Sequence, residues 1–101
     1  NANRVNEDNV PSVFKDWDRI YIKEEDIVPR DFHEYPYASS WIGINMLAVN
    51  QKTVIVDECQ TKIIDILEKK NFTVAPVPLR HSRTLGGGFH CVTLDLERDV
   101  P

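Results

Sequence analysis

The residues best suited to chemistry are a cysteine and the glycine run before it, in the stretch Leu-Gly-Gly-Gly-Phe-His-Cys at positions 85–91. Three of the chain's four glycines, Gly86 to Gly88, are consecutive, and Cys91 follows them. Glycine is used where the backbone takes a positive φ or approaches another group closely. The pattern therefore predicts a tight loop that presents the Cys91 thiol at the mouth of a sheet. Residue types alone equally allow a flexible turn before a buried cysteine, since cysteine is often buried.

The elements that position this loop follow from the hydrophobic pattern. Strands rich in apolar residues are predicted over 17–22, 42–49, 53–57, 72–77 and 92–96. The three residues 50–52 are short enough to join the second and third of these strands as a hairpin. Pro76 and Pro78 place the fourth strand at an edge of the sheet or end it early, because proline has no N–H for the ladder.

One helix is predicted, over residues 60–70. Ile63 and Leu67 belong to an apolar stripe at helical spacing, and Asn71 suits the left-handed residue that ends such a helix. From residue 42 onward the order is therefore strand, strand, helix, strand, followed by the cysteine loop and a last strand. This is an α+β arrangement.

The first part of the chain carries weaker signals. Residues 11–15 predict a short helical turn. The acidic run 24–26 predicts a solvated turn rather than a cation site, because no His or Cys accompanies it at ligand spacing. Residues 29–37 predict a loop, in which His33 and Glu34 are interpreted as an exposed pair rather than as a general base with its carboxylate.

Length and composition set the domain organisation. A chain of 101 residues with 42% hydrophobic residues is one domain's worth and has enough apolar side chains for a core. We divide it into an N-terminal flanking segment, 1–28, with a short helical turn and one strand, and a C-terminal unit, 29–101, that carries the cysteine loop.

Charge and cysteine content exclude several classes of partner. The net charge is −4 and the basic residues are scattered, so neither nucleic acid nor a membrane surface is expected to bind. No apolar run approaches the ~18 residues that span a bilayer. Two cysteines do not make a disulfide framework and predict free thiols in a reducing, cytoplasmic compartment. Because His and Cys are not clustered, no metal site is expected.

Residues 85–91 resemble the active-site cysteine motif of the amidinotransferases, most closely that of the glycine amidinotransferase family. Two upstream stretches match in order: Ser-Ser-Trp-Ile-Gly-Ile-Asn-Met-Leu at 39–47 and Thr-Val-Ile-Val-Asp at 53–57. The resemblance implies the guanidino-group-modifying (pentein) superfamily, in which the C-terminal unit is one ββαβ blade of a five-bladed α/β-propeller. Enzymes of this family are several times longer, so the resemblance also implies a C-terminal segment of a larger enzyme.

The chemistry implied by the resemblance is transfer of the amidino group of arginine to an acceptor amine such as glycine. Cys91 would be the nucleophile, and no cofactor is implied. A guanidinium carbon is a poor electrophile because resonance spreads its charge, and a covalent intermediate on a thiolate divides one difficult step into two. Cys91 would expel ornithine and hold the amidino group as a thiouronium.

The resemblance also implies a serine that contacts the substrate. Alignment on Trp41 and Asn45 assigns this role to Ser39, whereas alignment on the serine pair itself requires a deletion and leaves Ser40 open. Both serines could instead only cap a loop. The family's general acid/base histidine and its partner carboxylates lie upstream of the matched region, so this chain is expected to be inactive alone.

Five further residues are considered and given minor roles. His90 is interpreted as structural, because successive residues of a strand point to opposite faces. Arg80 and His81 could line the rim of the site and bind a substrate carboxylate. Asp57, at the end of a strand, is expected to cap the following helix, and Cys59 is given a structural role only.

Two other functions remain open. Within the same superfamily, an arginine or agmatine deiminase would transfer the amidino group to water, although the Phe-His-Cys and Ser-Ser-Trp stretches resemble the transferases more. In another class, a catalytically incomplete segment would only bind guanidinium ligands or oligomerise. An apolar face left for neighbouring blades would favour association with the remainder of the propeller or with a second copy.

Overall fold

The computed structural model describes residues 1–29 and 38–99, and its centre is a three-stranded mixed sheet. The strands are β1, Leu47–Ala48; β2, Thr53–Asp57; and β3, Thr73–Val77. β1 pairs antiparallel with β2, Leu47 lying opposite Ile55, and β2 pairs parallel with β3, Thr53 lying opposite Thr73. The predicted hairpin and the order strand, strand, helix, strand are both confirmed.

The helix α1, Thr61–Lys69, makes the crossover between the two parallel strands. Parallel neighbours need such a crossover because a tight turn cannot join them. The predicted helix 60–70 is confirmed to within one residue at each end. Asn71 has φ 68° and ends the helix in the left-handed conformation that the sequence predicts.

The core lies between the central strand and one face of α1. The buried apolar side chains that pack together are those of Ile22, Ile27, Val54, Val56, Ile63 and Leu67. Val56 and Ile63 are both 0% exposed. The strand contributes every second residue and the helix contributes residues four apart, which are the two periods that place side chains on one face.

The N-terminal segment contributes to this core and is tied to α1 by polar contacts. The side-chain amide of Gln60 forms a two-way pair with Val28: Val28 N donates to Oε1 at 2.9 Å, and Nε2 donates to Val28 O at 2.6 Å. Lys62 Nζ donates to the carbonyl of Glu25 at 2.6 Å. Gln60 is 2% exposed, so its amide would be costly to bury without these partners.

The predicted strand 42–49 is wrong over most of its length. A 3₁₀ turn, Ser40–Ile44, occupies its first part, and only Leu47–Ala48 are strand. Ser39 Oγ caps this turn by accepting from Trp41 N at 3.3 Å. Trp41 and Ile44 pack against the core from positions three apart, which eclipse on a 3₁₀ helix.

The predicted strands 17–22 and 92–96 are also wrong, since neither range is strand in the described structure. Val92, Leu94 and Leu96 alternate as in a half-buried strand, yet they are 59%, 83% and 91% exposed. An alternating pattern forms a strand only where a neighbouring strand takes up its backbone N–H and C=O groups. None of the described strands pairs with either range.

Three shorter predicted features are confirmed. The helical turn predicted at 11–15 is confirmed as a 3₁₀ turn at Ser12–Phe14, and the acidic run is a solvent-facing 3₁₀ turn, Glu24–Asp26. β3 lies at an edge of the sheet, as its prolines predict. The polar residues 79–84, which precede the glycine run, contain the start of a short helix, α2, Ser82–Leu85.

The core makes a direct prediction for stability. Replacing Ile63 with alanine removes a fully buried side chain from the contact between α1 and β2, so it should destabilise the fold by about 3 kcal/mol. Urea denaturation of the chain measures this change. Glu68→Ala, at an exposed position of the same helix, should change the free energy of unfolding by less than about 0.5 kcal/mol. Equal effects of the two substitutions would contradict the described packing.

Candidate active site

The cysteine loop begins where α2 ends. Gly86 takes the left-handed conformation, φ 74°, and the N–H groups of Gly86 and Gly87 donate to the carbonyl of Ser82 at 2.9 and 3.2 Å. A glycine in this position is the usual way to end a helix, because a Cβ atom disfavours a positive φ. The glycine run therefore begins by turning the chain out of α2.

One side chain, Asn45, fixes the next part of the loop. Its Oδ1 accepts from Gly88 N at 2.9 Å and from Cys91 N at 3.1 Å. Its backbone carbonyl accepts from His90 N at 3.4 Å. Three N–H groups of the loop are thus directed at a single residue that lies more than 40 positions earlier in the chain.

Gly88 is needed at this contact because no side chain fits there. A Cβ atom at position 88 would lie 2.6 Å from Asn45 Cβ and 2.9 Å from Asn45 Oδ1, and closer still to the carbonyl oxygen of Asn45. Gly87 leaves room for the nucleophile candidate, since a Cβ atom there would lie 3.2 Å from Cys91 Cβ. Each of the three glycines therefore meets a different local requirement: a positive φ at Gly86, room for Cys91 at Gly87 and the close approach to Asn45 at Gly88.

After Gly88 the loop winds into a short turn. Val92 N donates to Gly88 O at 3.1 Å, and Thr93 Oγ1 donates to Phe89 O at 2.8 Å. This turn carries Cys91, whose thiol is free and whose residue is exposed. The predicted tight loop is confirmed, and the alternative of a buried cysteine is wrong. The loop lies beside Asn45, two residues before β1, rather than leading into a strand of its own.

The serine segment lies against the same loop. Ala38 N donates to Arg83 O at 2.7 Å, and Arg83 Nε donates back to Ala38 O at 3.0 Å. Because Asn45 holds the far end, the segment 38–45 is tied to α2 and the cysteine loop at both of its ends. Ser39 and Ser40 lie between the two ties, Ser39 exposed as the cap of the 3₁₀ turn and Ser40 half-buried as its first residue.

Other predicted site residues are placed differently. The pair His33 and Glu34, with most of the predicted loop 29–37, lies outside the described residues. Arg80 and His81 are exposed just before α2, on the chain that leads into the cysteine loop. His90 is exposed, and its described hydrogen bonds are made by its backbone: its N–H donates to Asn45 O, and its carbonyl accepts from Thr93 N and Thr93 Oγ1.

The turn between β2 and α1 lies in a different part of the chain from the cysteine loop. Cys59 is half-buried there and its sulfur accepts from Gln60 Nε2 at 3.6 Å. The expectation that Asp57 caps α1 is wrong, because the residue before the helix is Gln60. Asp57 is buried, and its carboxylate accepts from Cys59 N at 3.4 Å within the turn.

Sequence reasoning missed the two side chains that assemble this region. The sequence marks Asn45 only as part of a motif and Gln60 only as the first residue of the predicted helix. Gln60 packs on Gly43, where a Cβ atom would lie 2.7 Å from the amide, and so supports the 3₁₀ turn that leads to Asn45. The available signal was the single polar residue inside the apolar run 41–49, which is unusual in a strand buried on both faces.

Comparison with known proteins gives a consistent set of relatives. The chain is 46% identical over 99 residues to inosamine-phosphate amidinotransferase 1 of Streptomyces griseus, with 97% of this chain and 28% of that protein covered. It is 40% identical over 68 residues to the mitochondrial glycine amidinotransferase of Xenopus tropicalis, covering 67% of this chain and 16% of that protein. It is also 31% identical over 89 residues to the L-arginine:L-lysine amidinotransferase of Pseudomonas savastanoi pv. phaseolicola, covering 88% of this chain and 24% of that protein.

Solved structures agree with these relatives. The inosamine-phosphate amidinotransferase StrB1 of Streptomyces griseus matches with a TM-score of 0.86 at 44% identity, over 96% of this chain and 28% of that one. SxtG, an amidinotransferase from Microseira wollei, matches with a TM-score of 0.84 at 27% identity, again over 96% of this chain and 28% of that one. No protein-family model matches the chain.

Two further facts bound the comparison. The chain spans 28% of the length of the inosamine-phosphate amidinotransferase that it matches over nearly its whole extent. Across residues 1–29 and 38–99, the structure has no helix that is both long enough and apolar enough to cross a membrane. On the agreement of sequence and fold with these relatives, the chain belongs to the amidinotransferase family.

Proposed function

We propose that the chain is the cysteine-carrying segment of an amidinotransferase that moves the amidino group of arginine to an acceptor amine through Cys91. The observation that carries this proposal is the cysteine loop itself. Its thiol is exposed while its backbone is held by Asn45 through two side-chain contacts, in a chain whose relatives are amidinotransferases. A fixed backbone beneath an accessible thiol is what a nucleophile needs, because attack requires a defined approach to the substrate.

In the first step of the proposed reaction, the thiolate of Cys91 attacks the central carbon of the guanidinium. The bond between that carbon and the side-chain nitrogen of arginine breaks, and this nitrogen takes up a proton and leaves as the amine of ornithine. The amidino group stays on sulfur as a thiouronium cation. The thiolate is the reacting form of cysteine, and the positive charge of the substrate favours that form as it binds.

In the second step, the acceptor amine attacks the same carbon and the carbon–sulfur bond breaks. The amine loses one proton, the thiolate is restored, and the amidino group leaves on the acceptor. The cycle balances without a metal or cofactor. Proton transfer at both steps needs a general acid/base, which the family resemblance assigns to a histidine outside the matched region.

Ser39 and Ser40 are the proposed substrate-binding residues. Their segment is tied to α2 through Ala38 and Arg83 and to the cysteine loop through Asn45, which supports a hydroxyl group near the site. Ser39 Oγ already accepts a hydrogen bond from Trp41 N, so its own O–H can donate outward. Ser40 remains the alternative.

The proposed place of the chain in a larger architecture is one ββαβ blade of a five-bladed α/β-propeller. The support is the observed order of β1, β2, α1 and β3 together with the 28% share of the relatives' length. The segment 1–28 would flank this blade, formed by 29–101, and the partner would be the remainder of the propeller or a second copy. The 101-residue chain alone is then expected to show no turnover.

Two acceptor amines are candidates, and each is supported by a different observation. Glycine follows from the resemblance of the cysteine motif. An inosamine phosphate is favoured by the relatives, since the match to inosamine-phosphate amidinotransferase is 46% over 97% of the chain, against 40% over 67% for glycine amidinotransferase. The second candidate rests on identity alone.

The test is a product assay on the natural polypeptide that carries this sequence. Arginine would be supplied alone and then with glycine, lysine or an inosamine phosphate, and the products identified by mass spectrometry. Ornithine that appears only with one acceptor, together with the amidinated form of that acceptor, is the expected result. Citrulline and ammonia in every reaction would overturn transfer in favour of a deiminase. No product from arginine under any condition would support a segment that only binds.

A further inference from the structure

The cysteine loop receives few contacts from its own neighbours in the sequence. It contains three glycines, and the residues that follow Cys91, from Val92 to Asp99, are all exposed. Its local hydrogen bonds are those of Gly86 N and Gly87 N to Ser82 O, where α2 ends, and those that Val92 N and Thr93 donate back to the loop. Glycine-rich backbone has the largest conformational freedom to lose on ordering, so something outside the loop must hold it.

Among the described residues, Asn45 is the one that lies outside the loop and accepts a hydrogen bond from the Cys91 N–H. Its Oδ1 receives N–H groups from both sides of the turn, Gly88 at 2.9 Å and Cys91 at 3.1 Å, and its carbonyl receives His90 N at 3.4 Å. Because two N–H groups of the loop donate to one amide oxygen, they fix both the orientation of the loop and its distance from Asn45. The absence of a side chain at Gly88 is what lets the two backbones come this close.

Asn45 is itself held from the other direction. Asn45 directly follows the 3₁₀ turn Ser40–Ile44, and its backbone N–H donates to Ile42 O at 2.9 Å. That turn rests on the buried amide of Gln60 at Gly43 and packs Trp41 and Ile44 onto the core. The core is therefore connected to the cysteine loop by a short series of contacts that ends at Asn45.

We propose that Asn45 is the positioning residue of the cysteine loop, and that its side-chain oxygen sets the place from which Cys91 reacts. The expected loss of rate rests on the proposed function, whereas the expected loosening of the loop rests on geometry alone. Asn45 acts through the backbone of Cys91 and needs no contact with substrate. Displacement of a reacting group by about 1 Å can lower a rate by about 100-fold, which sets the scale of the expected effect.

The chain offers a matched control. Asn50 Oδ1 also accepts from two backbone N–H groups, Lys52 at 2.8 Å and Thr53 at 2.9 Å, but it does so in the turn between β1 and β2. Asn45→Ala and Asn50→Ala therefore remove the same kind of interaction, and only the first touches the cysteine loop. Asn45→Asp keeps an oxygen acceptor at the same place and tests rescue.

The structural arm uses the natural polypeptide that carries this sequence and measures amide hydrogen exchange at Gly88 and Cys91 by nuclear magnetic resonance. Asn45→Ala should speed exchange at both amides by about tenfold or more, whereas Asn45→Asp and Asn50→Ala should leave both protected. Unchanged exchange at Gly88 and Cys91 in Asn45→Ala would overturn the proposed anchor. This arm requires no turnover.

The kinetic arm uses the natural polypeptide that carries this sequence. Asn45→Ala should lower kcat by about 100-fold with little change in KM for arginine, Asn45→Asp should recover most of that loss, and Asn50→Ala should match the wild type. A loss that falls on KM instead, or an aspartate variant no better than alanine, would overturn the positioning role of the oxygen. Activity that survives Cys91→Ser would instead refute the proposed function and leave the exchange result standing.

Discussion

Replacing Cys91 with serine is expected to abolish amidino transfer while leaving the fold unchanged. A hydroxyl is a far weaker nucleophile than a thiolate at neutral pH, so a serine at this position should not form the covalent intermediate at a useful rate. Removal of an enzyme nucleophile typically lowers the rate by about four to six orders of magnitude. Because Cys91 is exposed, the substitution should change the free energy of unfolding by less than about 0.5 kcal/mol.

The second cysteine provides the control for this result. Cys59 is half-buried in the turn before α1 and contacts Gln60 Nε2, so Cys59→Ser removes a thiol that the proposed reaction does not use. Ornithine formation and urea denaturation would be measured for both variants. The expected pattern is full loss of activity in Cys91→Ser and retained activity in Cys59→Ser. If Cys91→Ser still released ornithine at the wild-type rate, the nucleophile would have to be another group.

The central part of the fold could be predicted from the sequence because burial there leaves a clear period. β2 and α1 each present one face to the core, and Val54, Val56, Ile63 and Leu67 recur at the spacing that each element requires. Asn71 then marks the end of the helix, since asparagine tolerates a positive φ. In this region the apolar pattern and the tertiary packing agree, so the predicted strand and helix begin and end within one residue of the observed ones.

The wrong strand over 42–49 arose because the pattern there has no unique period. Residues 42–49 are nearly all apolar, and such a run fits a buried strand as well as other buried structure. The signals that favour a turn are local: the capping hydroxyl of Ser39 and the small residue Gly43, which fits beneath Gln60. The alternation over 92–96 is real in the sequence, but a strand requires a neighbour, and the described residues supply none.

The tight loop that carries the thiol could be predicted from residue types, whereas the contact that anchors the loop could not. Glycine and cysteine types predict a tight loop with a thiol, since those properties belong to the residues themselves. The anchor at Asn45 is a contact across 43 to 46 positions, and spacing along one chain carries no information about such a contact. The close approach that excludes a side chain at Gly88 follows from that contact, so it was equally invisible.

The glycine run yields a second large expected effect, which distinguishes Gly88 from Gly86. Gly88→Ala would place a Cβ atom 2.6 Å from Asn45 Cβ and closer to the Asn45 carbonyl oxygen, against backbone that the core holds in place. The substitution should therefore destabilise the fold by about 3 kcal/mol or push the loop off Asn45. Either outcome should abolish amidino transfer in the natural polypeptide, because the thiol of Cys91 moves with the loop.

Gly86→Ala is the comparison that isolates this cause. Gly86 has φ 74° and nothing within 4 Å of the position of a Cβ atom, so alanine there meets backbone strain of about 1 kcal/mol and no clash. Urea denaturation, with amide exchange at Cys91, should rank Gly86→Ala as mild and Gly88→Ala as severe, and Gly86→Asn should be milder than either because asparagine tolerates positive φ. If Gly88→Ala proved no worse than Gly86→Ala, glycine would serve the loop through flexibility alone. The close contact with Asn45 would then not be what fixes the cysteine.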